Sequence, residues 1–310
     1  MTFWGVRGSI PVPGRSTIRY GGNTACVSVQ DGDTIIVFDA GSGIRGLGSE
    51  LMARRGPLVI HLFVTHTHWD HIQGFPFFAP AYVPGNEVWV YGASILREGL
   101  MRALESQMDE RFFPVSLEEM GGGIHFVELE SGSRISIDDL TVSCTMLTHP
   151  GVAFGYRVDS RAGSVCYITD WEPLSRYCST APDENAAVEM ETEQYASRLD
   201  EDVTLFCQDA DLMIVDSQYD CEEYEMKRGW GHGCVEDAVA IALGAGIRRL
   251  ALFHHDPLHD DKRIDEMVRY SRGKVREAGR RMEVFGAREG KAIRILGTPA
   301  GVPMSCNGKK

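Results

Sequence analysis

The sequence predicts an α/β fold in which two β-sheets pack face to face and helices cover their outer faces, a four-layer αββα sandwich. Short strand-like runs separated by turn residues fill the first third of the chain. Strands then alternate with helices, and the same order is repeated in the second half, which favours two covered sheets. Because no linker-like segment divides the chain, we expect one domain over residues 1–296 and a loosely held Gly- and Pro-rich tail over 297–310.

Apolar runs rich in β-branched and aromatic residues predict the strands in chain order. The predicted strands are 3–6, 25–30, 34–38, 58–64, 87–91, 124–129, 140–147, 153–158, 164–169, 211–216, 248–253, 283–285 and 292–296. Helices are predicted from about residue 44 to 54 and over 95–108, 234–245 and 264–279. Segments near 97–125 and 172–208 are predicted to be insertions, the second with one or two helices, and they could form a lid or a homodimer contact.

Composition limits the classes of partner. The 310 residues are 43% hydrophobic and carry a formal net charge of −13, which would repel a polyanion on average. Basic residues at 269–281 could form a local patch for nucleic acid, but blocks of charge are usually solvated, so we attribute them to the solvated face of a helix. No run approaches the ~20 apolar residues of a membrane span, and the N-terminus lacks a signal-peptide layout, so we expect no membrane partner and a cytoplasmic location. The eight scattered cysteines read as free thiols.

The stretch Thr65-His66-Thr67-His68-Trp69-Asp70-His71 carries the strongest functional signal, directly after the apolar run 58–64. On an extended backbone His66 and His68 point the same way, and a helix starting near Trp69 would turn Asp70 and His71 toward the same point. Imidazole and carboxylate are ligands that zinc and similar metals prefer. Four such groups at one strand end make two adjacent metal sites plausible.

Three further strands end in residues of the ligand type. Residues 142–148 lead to His149, residues 165–169 lead to Asp170, and residues 250–253 lead to the pair His254-His255. A lone His or Asp at a strand end is usually a turn or cap residue. Together with the 65–71 motif, these residues are strong candidates for the further ligands that a two-metal site needs.

These motifs resemble the metallo-β-lactamase-fold hydrolases over about residues 2–296. The opening 3–11 and 20–24 resembles that of a bacterial subgroup in the phosphodiesterase branch, which includes RNase Z, PhnP-type and cyclic-nucleotide phosphodiesterase-like proteins. The resemblance implies two divalent ions, zinc by default, with manganese or iron as alternatives. One ion would take His66, His68 and His149, and the other would take Asp70, His71 and His254. We choose His254 over His255 because it fits the end of the family's strand motif better. Asp170 would bridge the two ions.

A second pair resembles the proton-delivering acid and histidine of that branch. Asp216 lies in 214–219, and His232 lies in 231–234 at the start of a helix. The resemblance implies a binuclear phosphodiesterase in which a metal-bridging hydroxide attacks, while Asp216 and His232 assist the leaving group and Asp70 belongs to the catalytic set. The alternatives are a thioesterase or lactonase of the same fold and a non-catalytic metal-binding scaffold.

The interval between His149 and Asp170 bears on the substrate. It spans only 21 positions, most of them used by two strands and a turn, so it leaves no room for a tRNA-gripping arm at that place. With the acidic net charge, this favours a small or cyclic phosphodiester as substrate and disfavours tRNA or other nucleic acid.

Overall fold

Two β-sheets face each other in the computed structural model, which describes residues 1–93, 99–178 and 186–297. The first sheet contains β1 (Thr2–Gly5), β2 (Cys26–Asp31), β3 (Thr34–Phe38), β4 (Val59–Phe63), β5 (Glu87–Ala93) and β6 (Gly123–Leu129), in that order. The second contains β7 (Arg134–Ile137), β8 (Leu140–Leu147), β9 (Ala153–Ser160), β10 (Gly163–Ile168), β11 (Leu212–Asp216), β12 (Arg249–Phe253) and β13 (Glu283–Gly286). Strands β3 to β6 run parallel to one another, and so do β10 to β13.

Helices cover the outer face of each sheet. They are α1 (Ile44–Leu51), α2 (Trp69–Ile72), α3 (Gly99–Gln107), α4 (Leu174–Cys178), α5 (Ala186–Phe206), α6 (Cys221–Lys227), α7 (Val235–Gly244) and α8 (Asp261–Glu277). Apolar residues of α1 and α3 pack on the first sheet, and those of α5, α7 and α8 pack on the second. The prediction of a four-layer αββα sandwich is confirmed.

Aromatic side chains join the two sheets in the central layer. Phe38 of the first sheet stacks on Tyr156 and Tyr167 of the second, with ring centroids 5.6 and 5.2 Å apart. The Tyr156 hydroxyl donates a 2.7 Å hydrogen bond to the Val64 carbonyl, just beyond β4. Buried aromatic pairs of this kind add about 0.5–1.5 kcal/mol each to the burial of their area. They hold the carboxyl end of β4, where the histidine motif begins, against the second sheet.

The structure corrects the predicted elements at a few places. The predicted strand 292–296 does not form. This segment makes only an isolated bridge between Ala292 and Thr2, beside hydrogen bonds between Ile293 and Met1. Strand β7 was missed, and α8 begins earlier than predicted because Asp260 accepts a hydrogen bond from the Arg263 N–H as its N-cap.

Part of each predicted insertion lies in the outer layers. From the 172–208 segment, α5 packs Val203 and Phe206 against the second sheet, and Cys207 directly after the helix is buried in the same core, so this part belongs to the fold and not to a lid. Residues 94–98, 179–185 and 298–310, including nearly all of the predicted tail, lie outside the described residues. The single-domain assignment stays a prediction. Among the helices that the structure describes, none is long and apolar enough to cross a bilayer.

Candidate metal centre

The residues that the sequence put forward as metal ligands all lie at one edge of the sandwich. They follow the ends of β4, β8, β10 and β12, whose last residues are Phe63, Leu147, Ile168 and Phe253. Loops at the carboxyl ends of parallel strands are where α/β proteins usually place their sites. The two facing sheets therefore deliver side chains from distant parts of the chain to one place.

The structure brings all seven predicted ligands together in two groups that share one carboxylate. In each group the ligand-type atoms lie within 4.8 Å of one another. The first group is His66, His68, His149 and Asp170, and the second is Asp70, His71, Asp170 and His254. His68 is the exposed member, so the first group opens to solvent on that side, while the second group is buried.

Hydrogen bonds orient the imidazoles of the second group. His71 Nδ1–H donates to Asp39 at 2.8 Å, and His254 Nδ1–H donates to the Gln218 side-chain oxygen at 2.9 Å. Because these hydrogen bonds are made through Nδ1, the Nε2 atom of each ring faces into the group, toward Asp70 and Asp170. The two Nε2 atoms lie 3.3 Å apart. Two ring nitrogens this close to each other and to the carboxylates of Asp70 and Asp170 can share a proton or bind a cation between them.

The first group has the same construction. His149 Nδ1–H donates to the Gly231 carbonyl at 2.9 Å, and its Nε2 lies 3.0 Å from His68 Nδ1. Nε2 of His66 is buried and has no hydrogen-bond partner among the described residues. A buried polar atom without a partner is costly unless something binds it. The donor set and its orphaned nitrogen therefore fit divalent cations bound by imidazole and carboxylate.

Burial and charge set the protonation of the candidate ligands in a way that suits cation binding. Burial lowers the pKa of His66 well below its usual value and that of His149 to about 4, so both rings are neutral near pH 7. Burial alone would raise the pKa of Asp70 and Asp170, but the neighbouring histidines hold both well below the usual value. Burial opposes the charge of His71, yet Asp170, Asp70 and Asp39 raise its pKa well above the usual value.

Unusual backbone conformations place several of these side chains. Asp39, Asp170 and His254 each follow a strand and adopt φ of 59°, 53° and 59°, in the left-handed region. Asp and His tolerate that region better than most residues, but it still carries strain. Gly231 has φ of 89°, and a Cβ there would lie 2.3 Å from His149 Nδ1, so only glycine allows the ring to approach the Gly231 carbonyl.

Asp216 and His232 form a hydrogen-bonded pair beside the second group. His232 Nδ1 lies 2.7 Å from Asp216 Oδ2, and its ring centroid is 5.0 Å from that of His254. Burial disfavours the charged ring, but the Asp216 carboxylate outweighs that effect and raises the pKa of His232 to about 9. Near pH 7 the imidazolium form therefore predominates. The loop carrying His232 is held by Glu172, which accepts hydrogen bonds from the N–H groups of Gly229 and Gly231 at 2.8 Å.

Sequence reasoning missed the residues that support this site. Asp39 contacts His71, Gln218 contacts His254, and Glu172 holds the Gly231 loop. A signal existed for Asp39, because it directly follows β3 in the same way that Asp170 follows the run 165–169. His255, the alternative to His254, bonds the Ala287 carbonyl at 3.0 Å and lies outside both groups.

Asp39 provides a test of the hydrogen bonds that support the site. Its carboxylate accepts from His71 Nδ1–H and from the Thr65 N–H at 2.8 Å. We expect Asp39→Asn to weaken binding of one divalent cation about 10- to 100-fold, since the partners of metal-binding histidines contribute that much. The measurement is calorimetric titration of the chelator-treated protein with Zn²⁺. Asp211→Asn is the matched control, because Asp211 is also buried and also accepts a strand N–H, from Ser164 at 2.8 Å. Equal affinity in the two variants would contradict the role of Asp39.

A four-layer sandwich with this donor set at its edge is the architecture of a metal-dependent hydrolase. Comparison with known proteins agrees: the family model described as "Beta-lactamase superfamily domain" matches residues 34–188, half of the chain. The chain belongs to the β-lactamase superfamily.

Individual relatives indicate which branch of the superfamily the chain resembles. Over 302 aligned residues the chain is 25% identical to a ribonuclease Z from Nostoc sp., covering 83% of this chain and 84% of the relative. Its fold is similar to that of YhfI from Bacillus subtilis, with TM-score 0.63, 16% identity and coverage of 94% and 97% of the two chains. It is also similar to human tRNase Z, short form, with TM-score 0.58, 18% identity and coverage of 95% and 98%. The predicted resemblance to metallo-β-lactamase-fold proteins of the phosphodiesterase branch is confirmed.

These relatives overturn the predicted substrate. We predicted a small-molecule phosphodiester and disfavoured tRNA and other nucleic acid, whereas the Nostoc relative is named for an activity on RNA. The prediction was wrong for two physical reasons. The short interval from His149 to Asp170 excludes an arm only at that position, and β9 and β10 indeed fill it. The net charge of −13 is an average that carries no information about local charge.

Proposed function

We propose that the chain is a binuclear metal-dependent phosphodiesterase that cleaves RNA. The observation that carries this proposal is the pairing of two ligand groups that share Asp170 with the Asp216–His232 pair beside them. The groups provide two adjacent positions for cations. The pair provides a proton for a leaving oxygen.

The proposed metals are two divalent cations, with zinc as the default for imidazole and carboxylate donors and manganese or iron as alternatives. His66, His68 and His149 would hold one, Asp70, His71 and His254 the other, and Asp170 both. When bound, such cations activate a water molecule for attack and offset negative charge on phosphate oxygens.

The chain's own contribution to the chemistry is proton transfer. When an RNA phosphodiester is hydrolysed, one P–O bond breaks and a ribose oxygen leaves as an alkoxide, which is a poor leaving group unless it receives a proton. His232 is charged near pH 7, and its Nδ1 is held by Asp216, so the proton for the leaving oxygen is on Nε2. Asp216 keeps the ring in one orientation and stabilises its charge.

Two exposed tryptophans support RNA as the substrate. Trp69, between His68 and Asp70, is 71% exposed, and Trp230, two residues before His232, is 63% exposed. Bases of unpaired nucleotides stack on aromatic side chains, and each such stack contributes about 1–3 kcal/mol. Aromatic faces at the rim of the site suit a substrate with splayed-out bases. The Nostoc ribonuclease Z relative supports the same class.

The test is a comparison of substrates with zinc- or manganese-loaded protein. We expect cleavage of a tRNA transcript with single-stranded extensions at both ends and hydrolysis of bis(p-nitrophenyl) phosphate. We expect little turnover of a thioester or lactone, because the site is proposed to bind and cleave a phosphodiester. A His68→Ala protein purified in the same way excludes contaminating ribonuclease. Hydrolysis of the thioester or lactone with intact RNA would overturn the proposal in favour of the alternative in the same fold.

A further inference from the structure

A strongly basic cleft lies between the loop before β2, helix α8 and the segment after β13. Its volume is about 560 Å³. Six cationic side chains line it, with one carboxylate, Asp265: they are Arg19, Lys262, Arg269, Arg272, Arg288 and Lys291. Such a concentration of positive charge is unexpected on a chain with net charge −13. The surface potential at this cleft therefore opposes that of the chain as a whole.

Carboxylates neutralise only part of this charge. Arg19 pairs with Asp265 at 2.5 Å, while Lys262 and Arg269 share Glu266 at 4.0 and 3.9 Å. Within the part of the chain that the structure describes, Arg272, Arg288 and Lys291 form no ion pair within 4.0 Å. Arg272 instead donates to the Val284 carbonyl, and the Lys291 ammonium lies 4.1 Å from the centre of the Phe285 ring.

The cations around Lys291 repel its charge. Burial lowers the pKa of Lys291, and despite the opposing effect of Glu283, the cations Arg288, Arg249 and Arg272 lower it further. A bound anionic ligand would reduce this repulsion and so stabilise the group of cations. Phosphates of a nucleic acid backbone are such a ligand, since they exchange condensed counterions for Lys and Arg.

The cleft begins at the same edge of the sandwich as the candidate metal centre. Strands β12 and β13 are parallel neighbours whose register pairs Leu252 with Gly286, so Arg288, two residues past that pair, leaves the sheet at the same edge as His254, two residues past Leu252. Tyr20, which lines the cleft, also packs edge-on against the His255 ring at 5.6 Å. From there the cations at 262, 269 and 272 follow one face of α8 for about 15 Å.

We propose that this basic cleft binds the phosphate backbone of the RNA substrate and leads the strand to the metal centre. The inference rests on the proposed function, because it assigns a docking surface to the same substrate. It also replaces the interpretation of Arg269 and Arg272 as part of a merely solvated helix face.

The experiment compares two variants with the same change in charge. Arg288→Glu/Lys291→Glu reverses two cations of the cleft, and Arg280→Glu/Arg281→Glu reverses two exposed cations outside its lining. The probes are the extended tRNA transcript and bis(p-nitrophenyl) phosphate. We expect the cleft variant to raise KM for the RNA on the order of tenfold more than the control variant does, with a much smaller change on the small diester. Circular dichroism verifies that both variants fold.

The salt dependence of binding adds a second measurement. Arg288→Ala/Lys291→Ala is expected to reduce the slope of log Kd against log salt by about 1.4 to 1.8, since each phosphate contact contributes about 0.7 to 0.9. Two results together would overturn the cleft while leaving RNA cleavage intact. They are an equal KM for RNA in the two Glu variants and a slope in the Ala variant equal to that of the unmodified protein. Hydrolysis of the small diester without cleavage of RNA by the unmodified protein would instead overturn RNA as the substrate. Binding of the cleft to phosphatidylserine vesicles but not to RNA would also overturn the inference.

Discussion

Asp170→Asn will reduce the bound metal to at most one ion per chain and lower kcat for phosphodiester cleavage by about 10³-fold or more. Asp170 is the carboxylate common to both ligand groups: its Oδ1 lies 3.1 Å from His71 Nε2 and 3.2 Å from His254 Nε2, and its Oδ2 lies 3.6 Å from His66 Nε2. Replacing one oxygen with an amide nitrogen removes the negative charge between the two positions. Loss of several kcal/mol of charge stabilisation corresponds to this decrease in rate.

The measurement is elemental analysis of protein dialysed against a small excess of Zn²⁺, together with initial rates on bis(p-nitrophenyl) phosphate. Asp211→Asn again controls for the loss of a buried carboxylate away from the site. Asp170→Asn protein with two ions per chain and ordinary turnover would refute the shared-carboxylate assignment.

His232→Ala will retain its metal and lose activity in proportion to how poor the leaving group is. A general acid contributes about 10²- to 10⁴-fold, and only where the leaving oxygen needs a proton. We therefore expect a decrease in this range for RNA. For bis(p-nitrophenyl) phosphate, whose p-nitrophenolate leaves without a proton, we expect a decrease of less than about tenfold.

The control for His232→Ala is His259→Ala, which removes another buried histidine, one paired with Glu223 at 2.8 Å and outside both ligand groups. Metal content is measured beside the rates on both substrates. Equal losses on RNA and on the activated diester would show that His232 is not the acid. Asp216→Asn should give a smaller loss with the same dependence on the leaving group, because it acts through the orientation and charge of the ring.

The candidate metal groups could be predicted because their signals are local. Each predicted ligand follows a recognisable apolar strand, and the carboxyl ends of the parallel strands meet at one edge. The supporting side chains gave weaker signals, since the partner of His254 is Gln218, on another strand end 36 positions away. Which nitrogen of a histidine is held by a neighbour is a tertiary property, and the spacing of residues along the chain does not encode it.

The strands that are buried in the sheets were predicted well. The prediction failed where contacts between distant segments determine whether a segment pairs as a strand. Residues 292–296 alternate like a strand, and Ile293 and Ile295 do pack on the central layer, yet only one bridge to Thr2 forms. The basic cleft was missed for a related reason. Its cations come from three segments around residues 19, 262–272 and 288–291, which composition averages with the many acidic residues elsewhere.

The left-handed conformations of Asp39, Asp170 and His254 set stability against function at these three positions. Glycine would relieve the backbone strain at each of them, so the strain is a cost that the chain carries in return for the side chains at these bends. The chain keeps functional side chains at these bends, and neighbouring packing such as the Phe38–Tyr167 stack offsets the strain.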